Sequence, residues 1–160
     1  MEKSAFLGEF LGTFFLIALG QGSVANVVLN KTKGHGSGLV IIVFAWAMAV
    51  TFGVFVAQKF GSIDAHLNPA LTLAFAIKSG VWGNVLPFIV AQFLGAFFGS
   101  LVSLVFYYPH FKVTESEADV QGVFCTSPAI PNTFNNFFIE FFGAFILYIG
   151  VSSIYAAASS

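Results

Sequence analysis

The sequence predicts an all-α membrane protein, and three observations carry that prediction. Hydrophobic residues make up 58% of the 160-residue chain, and its mean hydropathy is +0.90. Charged residues make up only 8%, against roughly 25% in an average soluble domain, so a water-covered surface cannot be built from this composition. Four stretches are continuously apolar over the roughly 20 residues that a membrane helix needs. Strands of a membrane β-barrel would instead alternate apolar and polar residues in roughly ten-residue segments. The whole chain, 1–160, reads as a single membrane domain.

The first span covers residues 5–29 and holds one charge, Glu9. It is too long for the apolar core of a signal peptide, and a single Lys3 beside Glu2 precedes it, so it reads as a retained helix. The second span, 39–58, carries no charge. Next comes a segment that opens with Gly61, Ser62 and Asp64, passes Asn68 and Pro69, and stays apolar only as far as Lys78. Asn is a favoured N-cap and Pro suits the first helical turn, so a short helix is expected over 68–78. At about half the spanning length it reads as a re-entrant half-helix; the alternative is a helix lying on the membrane surface. The third span covers 85–108. A long loop, 111–135, then carries Glu115, Glu117, Asp119, Pro128 and Pro131, and the fourth span covers 136–157 with Glu140 near its start.

Several function classes are excluded by composition. Six Lys against seven acidic residues give a net charge of −1, with no basic tract to meet nucleic acid. Arginine is absent, and Cys125 is the single cysteine, so no intramolecular disulfide forms. His35, His66 and His110 fall in separate loops without a nucleophile, a base or a second metal ligand, so neither an enzyme, a metal site nor a cofactor is expected. Lysines do not set the orientation: Lys3, Lys59 and Lys78 on one face balance Lys31, Lys33 and Lys112 on the other.

An internal repeat is visible. Glu9-Phe10-Leu11-Gly12-Thr13-Phe14-Phe15-Leu16 aligns with Glu140-Phe141-Phe142-Gly143-Ala144-Phe145-Ile146-Leu147, matching at Glu, Phe, Gly, Phe and Leu. Phe-rich helices resemble one another by chance, but the shared Glu and Gly at one spacing favour a true repeat. Many transport folds are two such repeats with the site between them, each supplying a broken helix. A second half-helix in the same register would fall beyond Ser160, so the chain reads as truncated within its second repeat.

The run His66-Leu67-Asn68-Pro69-Ala70-Leu71-Thr72, at the head of the half-length helix, resembles the Asn-Pro-Ala loop of the aquaporin and glycerol-facilitator family. Gly8-Glu9-Phe10-Leu11-Gly12-Thr13-Phe14 and Ala91-Gln92-Phe93-Leu94-Gly95-Ala96 add to the resemblance, which covers essentially the whole chain as the first half and slightly more of a family member. Leu67 before the Asn and the run Gly122-Val123-Phe124-Cys125-Thr126-Ser127-Pro128 are more similar to glycerol facilitators than to strict water channels. The segment Gly61-Ser62-Ile63-Asp64 is longer than the family's usual Ser-Gly, and the second Asn-Pro-Ala and the filter arginine are missing.

The resemblance implies an aquaporin-like right-handed helical bundle. One repeat supplies three spanning helices and a re-entrant half-helix, followed by the first helix of the second repeat. It implies a multi-pass plasma-membrane channel, with a cytoplasmic N-terminus, for passive permeation of glycerol, related small polyols and some water. The complete protein would be a homotetramer with a pore in each protomer. Asn68, Pro69 and Ala70 would sit at the pore centre, with the positive helix end repelling cations. The carbonyls of Asp64, Ala65, His66 and Leu67 would line it, since non-helical backbone at membrane depth survives only when buried in protein or facing water. Trp46 would form the apolar side of the selectivity filter; packing against lipid is its alternative. Glu9 and Glu140 would accept hydrogen bonds from the two re-entrant loops, the alternative being that each reaches the headgroups. Gly8 with Gly12, and Gly95 with Gly99, are small-residue pairs suited to close helix packing. A rival reading is a half-channel that conducts only with a second half, including a second antiparallel copy, or is inert.

Overall fold

The structure, a computed structural model, describes residues 4–158, so Lys3 of the lysine comparison lies outside the described residues. Its elements are six helices: α1 (Ala5–Val28), α2 (Leu39–Phe60), α3 (Pro69–Ser79), α4 (Val85–Val113), α5 (Glu117–Phe124) and α6 (Thr133–Ala158). Four of them, α1, α2, α4 and α6, are long and apolar enough to cross a membrane, and α3 is a shorter apolar helix.

Helix α1 is the central element, held between α2 and α4. Lipid tails are as apolar as leucine, so helices in a bilayer gain little from hiding apolar surface and instead use small residues to approach closely. Both faces of α1 do this. Gly8 and Gly12 meet the backbone of α2 at Ala57 and Gly53, while Gly95 and Gly99 of α4 lie against the carbonyls of Phe10 and Phe14. The start of α1 is fixed locally: the Ser4 hydroxyl accepts from the Leu7 amide at 3.1 Å, and the Ser4 amide donates to the Phe60 carbonyl at 3.1 Å. Gly61 ends α2 in the left-handed conformation, φ 117°, which a side chain would disfavour.

The far ends of α1 and α4 are pinned by polar contacts. The Asn30 amide donates to Thr114 Oγ1 at 2.9 Å, its side chain donates to the Val113 carbonyl at 3.2 Å, and His110 Nδ1 lies 2.9 Å from the Asn30 carbonyl. Helix α4 outruns the apolar interval of the sequence and ends in polar residues, among which Lys112 sits over the Tyr108 ring at 4.6 Å. The acidic loop contains a helix that hydropathy does not reveal. Ser116 caps α5 at the Asp119 amide, and Val120, Val123 and Phe124 pack it over the end of α1, with Phe124 stacked on Phe111 at 5.4 Å.

Helix α6 differs from the rest. None of its described residues is buried, and it meets the bundle chiefly through Tyr148 and Tyr155 against Phe75 of α3.

Candidate functional site

The site is organised by one carboxylate. Glu9 is 0% exposed, and its two oxygens accept four hydrogen bonds. Oε1 takes the Ser62 hydroxyl at 2.6 Å and the His66 amide at 2.8 Å; Oε2 takes the Leu67 amide at 2.8 Å and Gln92 Nε2 at 2.8 Å. A buried charge is tolerable only when its acceptor sites are filled, and here four donors from two distant segments fill them.

The backbone geometry of the loop follows from those bonds. A peptide plane sets its N–H and C=O in opposite directions. Binding the His66 and Leu67 amides to Glu9 therefore turns the Ala65 and His66 carbonyls away from Glu9, and neither accepts a hydrogen bond among the described residues. Ala65 and Leu67 adopt left-handed backbone, φ 41° and 51°. For residues with a β-carbon this costs about 1 kcal/mol or more each, and the Glu9 contacts offset it.

Beyond the loop, Asn68 caps α3, its Oδ1 accepting from the Ala70 amide at 2.8 Å, with Pro69 at the first helical position. Thr72 on the first turn accepts from Gln92 Nε2 at 3.0 Å and lies 3.2 Å from His66 Nδ1. The His66 ring is wedged between Phe75, stacked at 4.9 Å, and the edge of Phe88 at 5.2 Å. α3 is thus tied into the bundle by polar contacts as well as apolar ones.

A cleft of about 750 Å³ runs past this loop. Ala65, His66, Leu67 and Asn68 line it together with the apolar side chains of Trp46, Val54, Leu147 and Ile154. Asp64 lies apart from it, lining a second cleft of about 490 Å³ together with Lys78 and Asn84. Ala70 is exposed at the start of α3 and lines neither cleft. Glu140 is exposed on α6 and has no hydrogen-bond partner among the described residues, so the structure does not bring it to the Glu9 site.

Three participants escaped sequence reasoning. Gln92 and Ser62 hold Glu9; for Gln92 the signals were its place in the Ala91–Ala96 run and a carboxamide in the middle of a charge-free span, where buried polar groups need partners. The third is Gly20. A β-carbon there would fall inside contact distance of the Trp46 ring, so the indole is seated in a notch on α1. Gly20→Ala is expected to push the ring towards the cleft and cost about 1–3 kcal/mol as overpacking. In a Trp82→Phe background Trp46 is the remaining tryptophan, and its emission spectrum should shift; an unchanged spectrum would refute the seating.

The model of the major intrinsic protein family matches residues 2–160. The chain is 43% identical over 148 residues to a glycerol uptake facilitator protein of Streptococcus pneumoniae, covering 92% of this chain and 62% of that protein. It is 46% identical over 146 residues to glycerol uptake facilitator protein 3 of Lactiplantibacillus plantarum, covering 91% and 60%. With the glycerol uptake facilitator protein of Bacillus subtilis it shares 40% over 152 residues, covering 94% and 55%. The chain belongs to the major intrinsic protein family and is a multi-pass membrane protein. It spans between 55% and 62% of the length of these relatives.

Proposed function

We propose that this chain forms the pore wall of a channel for passive permeation of glycerol and related small polyols, with water as a second permeant. The observation that carries the reading is the cleft lined jointly by the loop that Glu9 holds and by apolar side chains of the helices. A polyol has hydroxyls along one edge and C–H groups along the other. Its hydroxyl protons would meet the unpaired carbonyls of Ala65 and His66, its oxygens the Asn68 amide, and its carbon chain the Trp46, Val54 and Leu147 surfaces. The positive end of the α3 dipole at Asn68 would oppose cations. The names of the relatives support this substrate class. The reading extends to a plasma-membrane homotetramer with a pore in each protomer, in keeping with the exposed apolar residues Leu39, Val40 and Phe44 of α2. It requires no cofactor and no catalytic step.

Asn68→Asp tests it, because the substitution separates capping from permeation. Asp caps helices as well as Asn does, so α3 should persist. The amide donor is lost and a negative charge replaces it, so glycerol flux into proteoliposomes, followed by stopped-flow light scattering, should fall at least roughly tenfold. Equal flux in the native chain and the variant, both above empty liposomes, would refute the assignment of Asn68.

A second reading is favoured by α6. Glu140 is exposed there, and a β-carbon on Gly143 meets nothing within 4 Å, although the matched Gly12 is closely packed. In this reading the chain conducts only when a second half, separately supplied or a second copy, covers α6. Native flux equal to empty liposomes, restored on adding that half, is its expected signature.

A further inference from the structure

We infer that Tyr155 governs entry to the carbonyl row, its hydroxyl occupying the Asp64 carbonyl in place of a permeant hydroxyl. The inference rests on the permeation reading above and adds a residue that neither the motif nor the repeat identifies.

Three observations converge on this tyrosine. Its hydroxyl donates to the Asp64 carbonyl, the first of the four non-helical residues that lead to Asn68. It lines both clefts, and His66 is the one other residue of the described site that does so, so the two side chains form the partition between them. The partition is braced: Phe75 stacks on His66 at 4.9 Å and contacts the Tyr155 ring at 6.5 Å. On this inference, a molecule moving from the Lys78 cleft to the Asn68 cleft would pass this aromatic group, the lining that the two clefts share.

The chemistry is competition between like donors. A phenolic O–H and an alcohol O–H both donate to a carbonyl, so a polyol can take over the Asp64 oxygen only by displacing Tyr155. An ion or an apolar solute has no hydroxyl with which to make that exchange. The ring separately limits width. Tyr155 would therefore select twice, by hydroxyl donation and by size.

Two variants separate these effects. Tyr155→Phe keeps the ring and frees the Asp64 carbonyl; glycerol flux should rise roughly 2- to 10-fold, the net worth of one hydrogen bond. Tyr155→Ala merges the clefts and should raise the flux of five- and six-carbon polyols relative to that of glycerol. Tyr148→Phe, whose ring also meets Phe75 but which lines neither cleft, should leave flux unchanged. Native flux above empty liposomes with no change in either Tyr155 variant would overturn the inference and leave the permeation reading standing.

A second measurement does not depend on conduction. The chain has two aspartates, Asp64 and Asp119, so carbonyl-13C aspartate labelling gives two resonances, assigned with Asp119→Asn. Tyr155→Phe should move the Asp64 resonance upfield, and added glycerol should move it back at lower concentration than it affects the native protein. An Asp64 resonance indifferent to Tyr155→Phe, or a glycerol response identical in both proteins, overturns the inference even if no flux is found. Absence of flux from the native chain and every variant counts against the permeation reading instead.

Discussion

On the proposed permeation reading, Glu9→Gln is expected to release the loop that leads to Asn68 and abolish glycerol flux, although the two side chains have nearly the same shape. Each carboxylate oxygen of Glu9 accepts one loop amide and one side-chain donor. A glutamine places its NH2 at one of these positions, and neither orientation is acceptable. One way round, the NH2 faces the His66 amide; the other way, it faces the Leu67 amide and the Gln92 amide. The Ser62 hydroxyl can rotate to accept, but a backbone N–H cannot. At least one buried amide therefore loses its partner, and the remaining bonds lose their charge assistance. A cost of about 3 kcal/mol or more follows. The left-handed conformations of Ala65 and Leu67 are then no longer compensated, and the loop should relax out of register. Thermal unfolding in detergent would report the stability loss, and proteoliposome flux the functional one. Native-like unfolding together with native flux would refute the role given to Glu9.

Gly8→Val is expected to be of similar severity by a different route. A β-carbon at Gly8 would lie 2.5 Å from the Ala57 carbonyl and 2.5 Å from the Ser62 amide, both backbone atoms of the neighbouring helix and loop. Neither can move without opening the α1–α2 contact or withdrawing Ser62 from Glu9. Overpacking of a rigid interface costs about 1–3 kcal/mol, and displacing Ser62 weakens the carboxylate network as well. The comparison is Gly143→Ala on α6, where a β-carbon meets nothing within 4 Å. That change should be neutral or slightly stabilising in this chain, since Ala is the better helix former. Melting temperatures of the two variants side by side provide the check, and equal behaviour would refute the packing argument.

The contrast between Gly8 and Gly143 shows how far the sequence could be read. Continuous apolar runs marked the membrane helices, because spanning a bilayer requires length and apolar character, and both are local properties. The Asn68-Pro69 start of α3 was legible for the same reason: capping and the fixed φ of proline act within a few residues. α5 was not, because its eight residues contribute too little hydropathy and its stability comes from packing Val123 and Phe124 on distant helices. The repeat paired Glu9 with Glu140 and Gly12 with Gly143, yet the structure gives them opposite environments, buried in one case and open in the other.

The site itself divides in the same way. The sequence alone determined that Asn68 opens a half-length helix and that Glu9 sits in an apolar span where an ionisable group needs partners. It could not name those partners, which come from 53 to 83 residues along the chain. Nor could it find the notch at Gly20 beneath Trp46, or the Tyr155 hydroxyl on the Asp64 carbonyl. The physical reason is that a membrane helix is apolar on every side, so hydropathy fixes its length but carries no information about which face meets which neighbour. Only the tertiary packing, through close glycine contacts and the filling of buried hydrogen bonds, decides the rotation of each helix and with it the site.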